Sequence, residues 1–157
     1  RGVTIAAGVW IAGGVTIAEG VWIAAGVRIA EAVPIAEVVT IAAGVWIAKD
    51  VRIAKGVRIA EDVTIAKGVR IAEGVRIAKG VMIAEGCVYS SGLAVHRSDG
   101  HMFTIAAHPK DGWVLMAGCH RFTQEEAVKH WTTTRVGTPL GTESLAIVAY
   151  LFKGVGA

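Results

Sequence analysis

The sequence predicts a mainly β fold: a parallel β-solenoid closed at its C-terminal end by a small α+β cap. Three observations carry that expectation. From Gly2 to Glu85 a six-residue phrase, G-V-x-I-A-x, runs through fourteen units with substitutions but no insertion or deletion, and so short a period marks a solenoid whose units pack only on their neighbours. Within each unit Val and Ile stand two apart, as Val57 and Ile59 do, so an extended chain turns both to one face and Arg58 to the other. After Ser90-Ser91-Gly92 the beat stops, and alternating apolar runs separated by turn signals take over.

Taken in chain order, each unit reads as a short strand and a corner. Val and Ile face the core, the residue between them faces solvent, and Ala begins the corner. A polar residue and then Gly complete it, Gly because a tight corner needs positive φ. Asp50 and Asp62 are among the next most tolerant types there, whereas Ala32 and Val38 are poor corner residues. These two flank Pro34, which has no N–H for a ladder, so the stretch from Glu31 to Val39 is expected to be a distorted coil.

The phrase I-A-x-G-V-x resembles the hexapeptide repeat of left-handed parallel β-helix proteins, over 84 of the 157 residues. The resemblance implies triangular coils of three hexads, eighteen residues per coil and about five coils, wound with a left-handed crossover that departs from the usual rule. Those relatives usually carry Gly where this chain has an unbroken series of Ala, and such regularity suggests recent duplication or consensus design. Under an eighteen-residue register, corner residues stack about 4.8 Å apart in columns. The columns are Glu31, Lys49, Lys67 and Glu85; Glu37, Lys55 and Glu73; and Glu61 with Lys79. Alternating signs favour the correct register over a shifted one more than they add stability. The same register stacks Trp10, Arg28 and Trp46, an arrangement that permits cation–π contact. Simple stacking is the plainer reading, and the functional one makes Trp10, Trp22, Trp46 and Arg28 a subunit interface.

Related hexapeptide acyltransferases use a histidine base and a loop expelled from one coil, and zinc-dependent hydratases of that fold use three histidines. This chain has no His before His96 and no interruption of the repeat. The resemblance therefore implies the scaffold without its chemistry, and a degenerate acyltransferase-like enzyme is the alternative. Ice-binding relatives present ranks of paired Thr, but Thr4, Thr16, Thr40 and Thr64 are single and spread over three faces.

In the tail, the runs Leu93 to Arg97, Met102 to Ala107 and Trp113 to Ala117 predict a three-stranded antiparallel meander, turned at Ser98-Asp99-Gly100 and Pro109-Lys110-Asp111-Gly112. Thr123 and Glu126 form a capping box that predicts a helix over 124–131, and a second helix is expected over 143–152. The boundary between the solenoid, 1–91, and the cap, 92–157, falls where the repeat stops. The wording from Ala117 to Trp131, and the following T-P-L-G-T-E-S-L-A-I, resembles C-terminal modules that follow hexapeptide arrays in uncharacterised bacterial and prophage proteins. That likeness implies no known activity, though it opens a phage-type appendage or adhesion component as a further alternative.

All five histidines lie in the tail. Cys119, His120, His108 and His130 are the weak metal candidates, since only soft and imidazole ligands are on offer. Adjacent residues of an extended chain point to opposite sides, which makes Cys119 and His120 a poor joint pair. A Cys119 nucleophile with a neighbouring His, oriented by Glu125 or Glu126, is the catalytic version. The favoured reading is a buried Cys, solvent-facing imidazoles and acids engaged in capping, with Phe122, Trp113 and Trp131 in the core. No catalytic, cofactor or metal site is assigned.

An apolar fraction of 54% suggests a membrane protein, yet no run of about eighteen apolar residues exists. A net charge of +3 with intermixed signs argues against a nucleic-acid partner. Two cysteines without a CxxC suggest reduced thiols and a cytoplasmic default. The lack of an initiating Met suggests a fragment, whose compartment is not written in it. The sequence reading is thus a non-enzymatic, self-assembling rod with a capping or oligomerisation module. It is expected to form a trimer or to associate end to end, since Arg1-Gly2-Val3 enters the repeat without a cap, and no membrane, cofactor or small-molecule substrate is expected.

Overall fold

A computed structural model describes residues 2–157; Arg1 lies outside the described residues. Fifteen two-residue strands form three parallel faces of a β-solenoid. The first face holds β1 (Thr4–Ile5), β4 (Trp22–Ile23), β7 (Thr40–Ile41), β10 (Arg58–Ile59) and β13 (Arg76–Ile77). The second holds β2 (Trp10–Ile11), β5 (Arg28–Ile29), β8 (Trp46–Ile47), β11 (Thr64–Ile65) and β14 (Met82–Ile83). On the third lie β3 (Thr16–Ile17), β6 (Pro34–Ile35), β9 (Arg52–Ile53), β12 (Arg70–Ile71) and β15 (Val88–Tyr89). Each strand pairs with the one three units on, as Arg58 with Arg76 and Ile59 with Ile77, so a coil is eighteen residues and about five coils are stacked.

The sequence dictates this packing locally. Val and Ile of the inner coils are buried within 2% of full burial from Val27 to Val69 and form one continuous column, each such side chain contributing about 1.5–3 kcal/mol of transfer free energy. Between coils the backbone is tied in both directions in each inner unit. Strand N–H groups donate to the following coil, as Thr40 N to Val57 O at 3.0 Å, and corner N–H groups donate to the preceding one, as Gly56 N to Glu37 O at 3.0 Å.

The expected distortion around Pro34 does not spread through its coil. Strand β6 keeps register with both neighbours, Thr16 facing Pro34 and Ile35 facing Ile53. Pro lacks one ladder donor, and the flanking bonds, such as Ala36 N to Ile53 O at 3.0 Å, hold the rung. The strain sits instead in the corners, where Ala32 and Val38 take φ of 56° and 58°, a region that a β-branched residue rarely enters.

The tail continues the third face. Strand β17 (Met102–His108) adds antiparallel to β15 through Val88 and Ala107, and β16 (Ala94–His96) and β18 (Gly112–Ala117) flank it. The meander has a fourth strand that the sequence reading missed, β19 (His120–Phe122), paired to β18. Helix α1 (Gln124–Thr134) starts at the Thr123 and Glu126 capping box as expected and runs further than 131. Helix α2 (Pro139–Gly154) begins earlier than residue 143, because Thr138 accepts from Gly141 N and Pro139 sets the first turn.

Alternation along β17 and β18 gives the meander two working faces. Ala106, Val114 and Met116 close the solenoid column, while Phe103, Ile105 and Leu115 pack under Ala127, Trp131, Val148 and Leu151 of the helices. The order is therefore last coil, sheet, helices. No helix among the described residues is long and apolar enough to cross a membrane.

Candidate functional site

The junction of coil and cap is where polar chemistry concentrates. At the final unit, Cys87 replaces the usual Val and Tyr89 the usual Ile, and both are fully buried. Burial pushes the Cys87 thiol and the Tyr89 phenol up from their ordinary values. A buried phenol needs a partner. Tyr89 finds it in the Thr104 hydroxyl at 3.1 Å, which in turn donates to Leu93 O at 2.7 Å.

Arg97 is the other centre, and the sequence reading passed over it as the last residue of a strand. Its guanidinium is 3% exposed and grips Asp99 with two bonds, Nε to Oδ1 at 2.9 Å and Nη2 to Oδ2 at 2.6 Å. A third bond, Nη1 to Ser144 Oγ at 3.0 Å, reaches α2, and the group stands 5.6 Å from the Phe103 ring centre. Beside it Glu143 accepts from Ser98 N and Ser98 Oγ, at 2.7 and 2.6 Å. The hydrogen bonds from Arg97 hold the Asp99 carboxyl well below the usual carboxylate range, and those to Asp99 raise the guanidinium further. A signal was available: Leu93, Val95 and Arg97 share one parity along the strand, and the first two pack into the helix-side core.

The candidates named from sequence separate into two groups. His108, at the hairpin end of β17, sets its Nδ1 2.9 Å from Asp111 Oδ2, and Arg121 reaches the same oxygen at 3.1 Å. His120, Phe122 and His130 cluster on the helix side, with Phe122 5.8 and 4.9 Å from the two imidazole centres, which are 6.2 Å apart, and Trp131 packs edge-on to His130. With Phe103 and Arg135 they line a shallow cleft of about 200 Å³. Trp131 is core, as expected, and Trp113 and Phe122 are partly buried against the same cluster.

Two expectations about Cys119 are corrected. It is exposed, not buried, and its Sγ lies 3.4 Å from His120 Nδ1, because the pair sits at a hairpin corner after Gly118 at φ 58° and not in extended chain. Glu126, proposed to orient that pair, is engaged at Thr123 N, 2.8 Å away. Among the described residues no three His, Cys, Asp or Glu side chains group closely enough to hold a metal ion.

On the solenoid, Trp10, Arg28 and Trp46 stack in register as expected, and all three tryptophans named as interface residues, Trp22 included, are exposed. Among the described residues the cation–π contact is Arg97 over Phe103, and the Arg28 column shows none. Of the corner columns, Lys55 approaches Glu37 at 3.5 Å and Lys79 approaches Glu61 at 2.8 Å.

No family model matches the chain, and no curated protein matches it. The chain is a β-solenoid repeat protein on the evidence of its architecture.

Proposed function

We propose that this chain is a non-catalytic structural rod: a left-handed hexapeptide β-helix whose tail plugs one end and whose exposed tryptophan face mediates self-association. One observation carries the reading: apolar surface is covered at the tail and left bare on the outside of the repeats. At the C-terminal end β17 bonds to β15, and Tyr89, Ala106, Val114 and Met116 are buried over the last coil. In the first coil Val3 and Ile5 are 41% and 45% exposed, with Ile11, Trp10 and Trp22 exposed nearby. A cap that differs from the repeat keeps the last coil edge from recruiting another chain, whereas large aromatics left exposed on the repeats mark a surface for association.

Charge distribution supports the same division. Residues 2–27 contain one charged side chain, Glu19, while charged residues recur in nearly every unit from Arg28 onward. Interface cores are depleted of charge and rich in aromatics. Light scattering coupled to size-exclusion chromatography tests the reading on the 157-residue chain. A dimer, trimer or larger species is expected, and Ile5→Asp with Trp10→Glu should shift it to monomer without loss of β structure. A monomer at millimolar concentration overturns the proposal.

A further inference from the structure

A cleft of about 300 Å³ opens between the last coil and the meander, and its lining has an unusual donor set. The chain contains three methionines, and all of them, Met82, Met102 and Met116, line this one space together with His96 and His101. The arrangement follows from register. His96 faces Met102 directly across β16 and β17, and Met116 faces Thr104, two residues along β17 from Met102. Direct cross-strand partners have Cβ atoms about 4.5–5.5 Å apart and diagonal ones about 7–8 Å, within reach of flexible thioether side chains. All three belong to the sheet face that looks toward the solenoid, and Met82 comes from β14 on the other side.

We propose that this cleft is a soft-metal site that binds a single Cu(I) ion through the thioether sulfurs of Met82, Met102 and Met116 and the imidazole of His96. Thioether and imidazole donors are neutral and polarisable, and they select Cu(I) over the harder divalent ions that carboxylates favour. Packing alone does not account for the set. A core methionine fills a gap in a closed interior, which suits Met116 in the core cluster and in part Met102 packed against it, whereas Met82 is 43% exposed and His96 is exposed around an open space. The Met116 sulfur is oriented by Ala84 N–H, which donates to it at 3.1 Å and leaves a second lone pair free. The cation on the rim is compensated: Lys79 is held by Glu61 at 2.8 Å and Asp62 at 3.6 Å. At the other rim His101 sets its Nδ1 3.5 Å from Asp99 Oδ2.

The test uses the 157-residue chain carrying Cys119→Ser, which removes the exposed thiol; Cys87 is buried. Cu(I) is titrated without oxygen against bathocuproine disulfonate, and Ag(I) is titrated while the methionine methyl resonances are followed by NMR. Uptake of one Cu(I), with Ag(I) moving all three methyl signals, supports the site. Met102→Leu and His96→Ala, both folded by circular dichroism, should each weaken binding by at least about tenfold. Unmoved methyl signals, unchanged affinity in both variants, or uptake that requires Cys119 would overturn it.

Discussion

The solenoid and the cap bury similar side chains but tie them together over different distances. In the solenoid the ladder bonds join residues about one coil apart, the core column is Val and Ile until Cys87 and Tyr89 at its capped end, and the same solution recurs in each inner unit. In the cap the decisive contacts span the tail: Arg97 bonds Ser144 across 47 residues, and Ser98 bonds Glu143 across 45. Stability in a stack of nearest-neighbour units is a sum of small repeated terms, so damage to one coil is shared. The cap has one apolar cluster between sheet and helices, and the few polar groups that fix α2 against β16 have no repeated counterpart to share their loss. The difference matters for function because the cap is what ends the stack.

The largest effect should come from the middle of the column. Ile59→Ala removes a side chain that is 2% exposed and should cost about 3 kcal/mol in urea denaturation. Ile5→Ala, at the exposed first coil, should cost less than about 1 kcal/mol. Equal losses at the two positions would show that the first coil is covered in solution, which would itself sharpen the case for self-association.

Arg97→Met keeps the apolar stem over Phe103 and removes the guanidinium. The expected loss is about 2 kcal/mol, and hydrogen exchange should rise in β16, β17 and the start of α2 while the inner coils stay protected. The same clamp sets an acid limit. Asp99 is held below its ordinary value by Arg97, so the unfolded chain binds the proton more readily. The contribution is therefore complete above the ordinary carboxylate pKa and is lost as pH falls below about 4. In Asp99→Asn that acid-side slope in cap protection should disappear. Acid loosening of the inner coils before the cap would contradict the division.

Smaller still is a gain. Val38 holds φ of 58° at a corner where most units use Gly. Val38→Gly relieves a left-handed conformation that costs about 1–2 kcal/mol for an L residue, offset by the extra freedom of Gly in the unfolded chain. The net expectation is a stabilisation of somewhat under 1 kcal/mol, read as a higher melting temperature.

The solenoid was legible because each unit repeats the same local instruction: Val and Ile at spacing two, then a corner with positive φ. The eighteen-residue register came from the resemblance to hexapeptide β-helices and not from the unit alone, and it placed Glu61 against Lys79 and Trp10 against Arg28. The tail was legible only where local signals act, as at the Thr123 capping box. Strand β19 is three residues long and exists because β18 supplies its partner, so nothing in His120-Arg121-Phe122 alone announces it. The second helix was started near 143, at Thr142-Glu143-Ser144, although Thr138 followed by Pro139 already carries a local start signal that the sequence reading did not weigh. Cys119 and His120 were misjudged for one reason, the assumption of extended backbone where Gly118 permits a turn. The methionine cleft lay beyond reach, since its donors come from four strands whose adjacency depends on how the cap docks.

The charge columns give the smallest effect, and they isolate what the regular half of the molecule uses charge for. Glu61 and Lys79 bond at 2.8 Å, and each shifts the other, the carboxyl down and the ammonium up, mainly through that hydrogen bond. Both are solvent-exposed, so water and salt already satisfy them, and Lys79→Gln should leave the melting temperature within error at physiological salt. Glu61→Lys is the informative variant, because it places like charges one coil apart in the column and adds a repulsion where the parent has an attraction. Its melting temperature should fall at low salt and recover as ionic strength shortens the screening length to about 3 Å near 1 M. A deficit that persists at high salt would mean that the corner carboxylate contributes through packing and not through charge. The columns would then be part of the fold's stability and not, as argued here, a guard on its register.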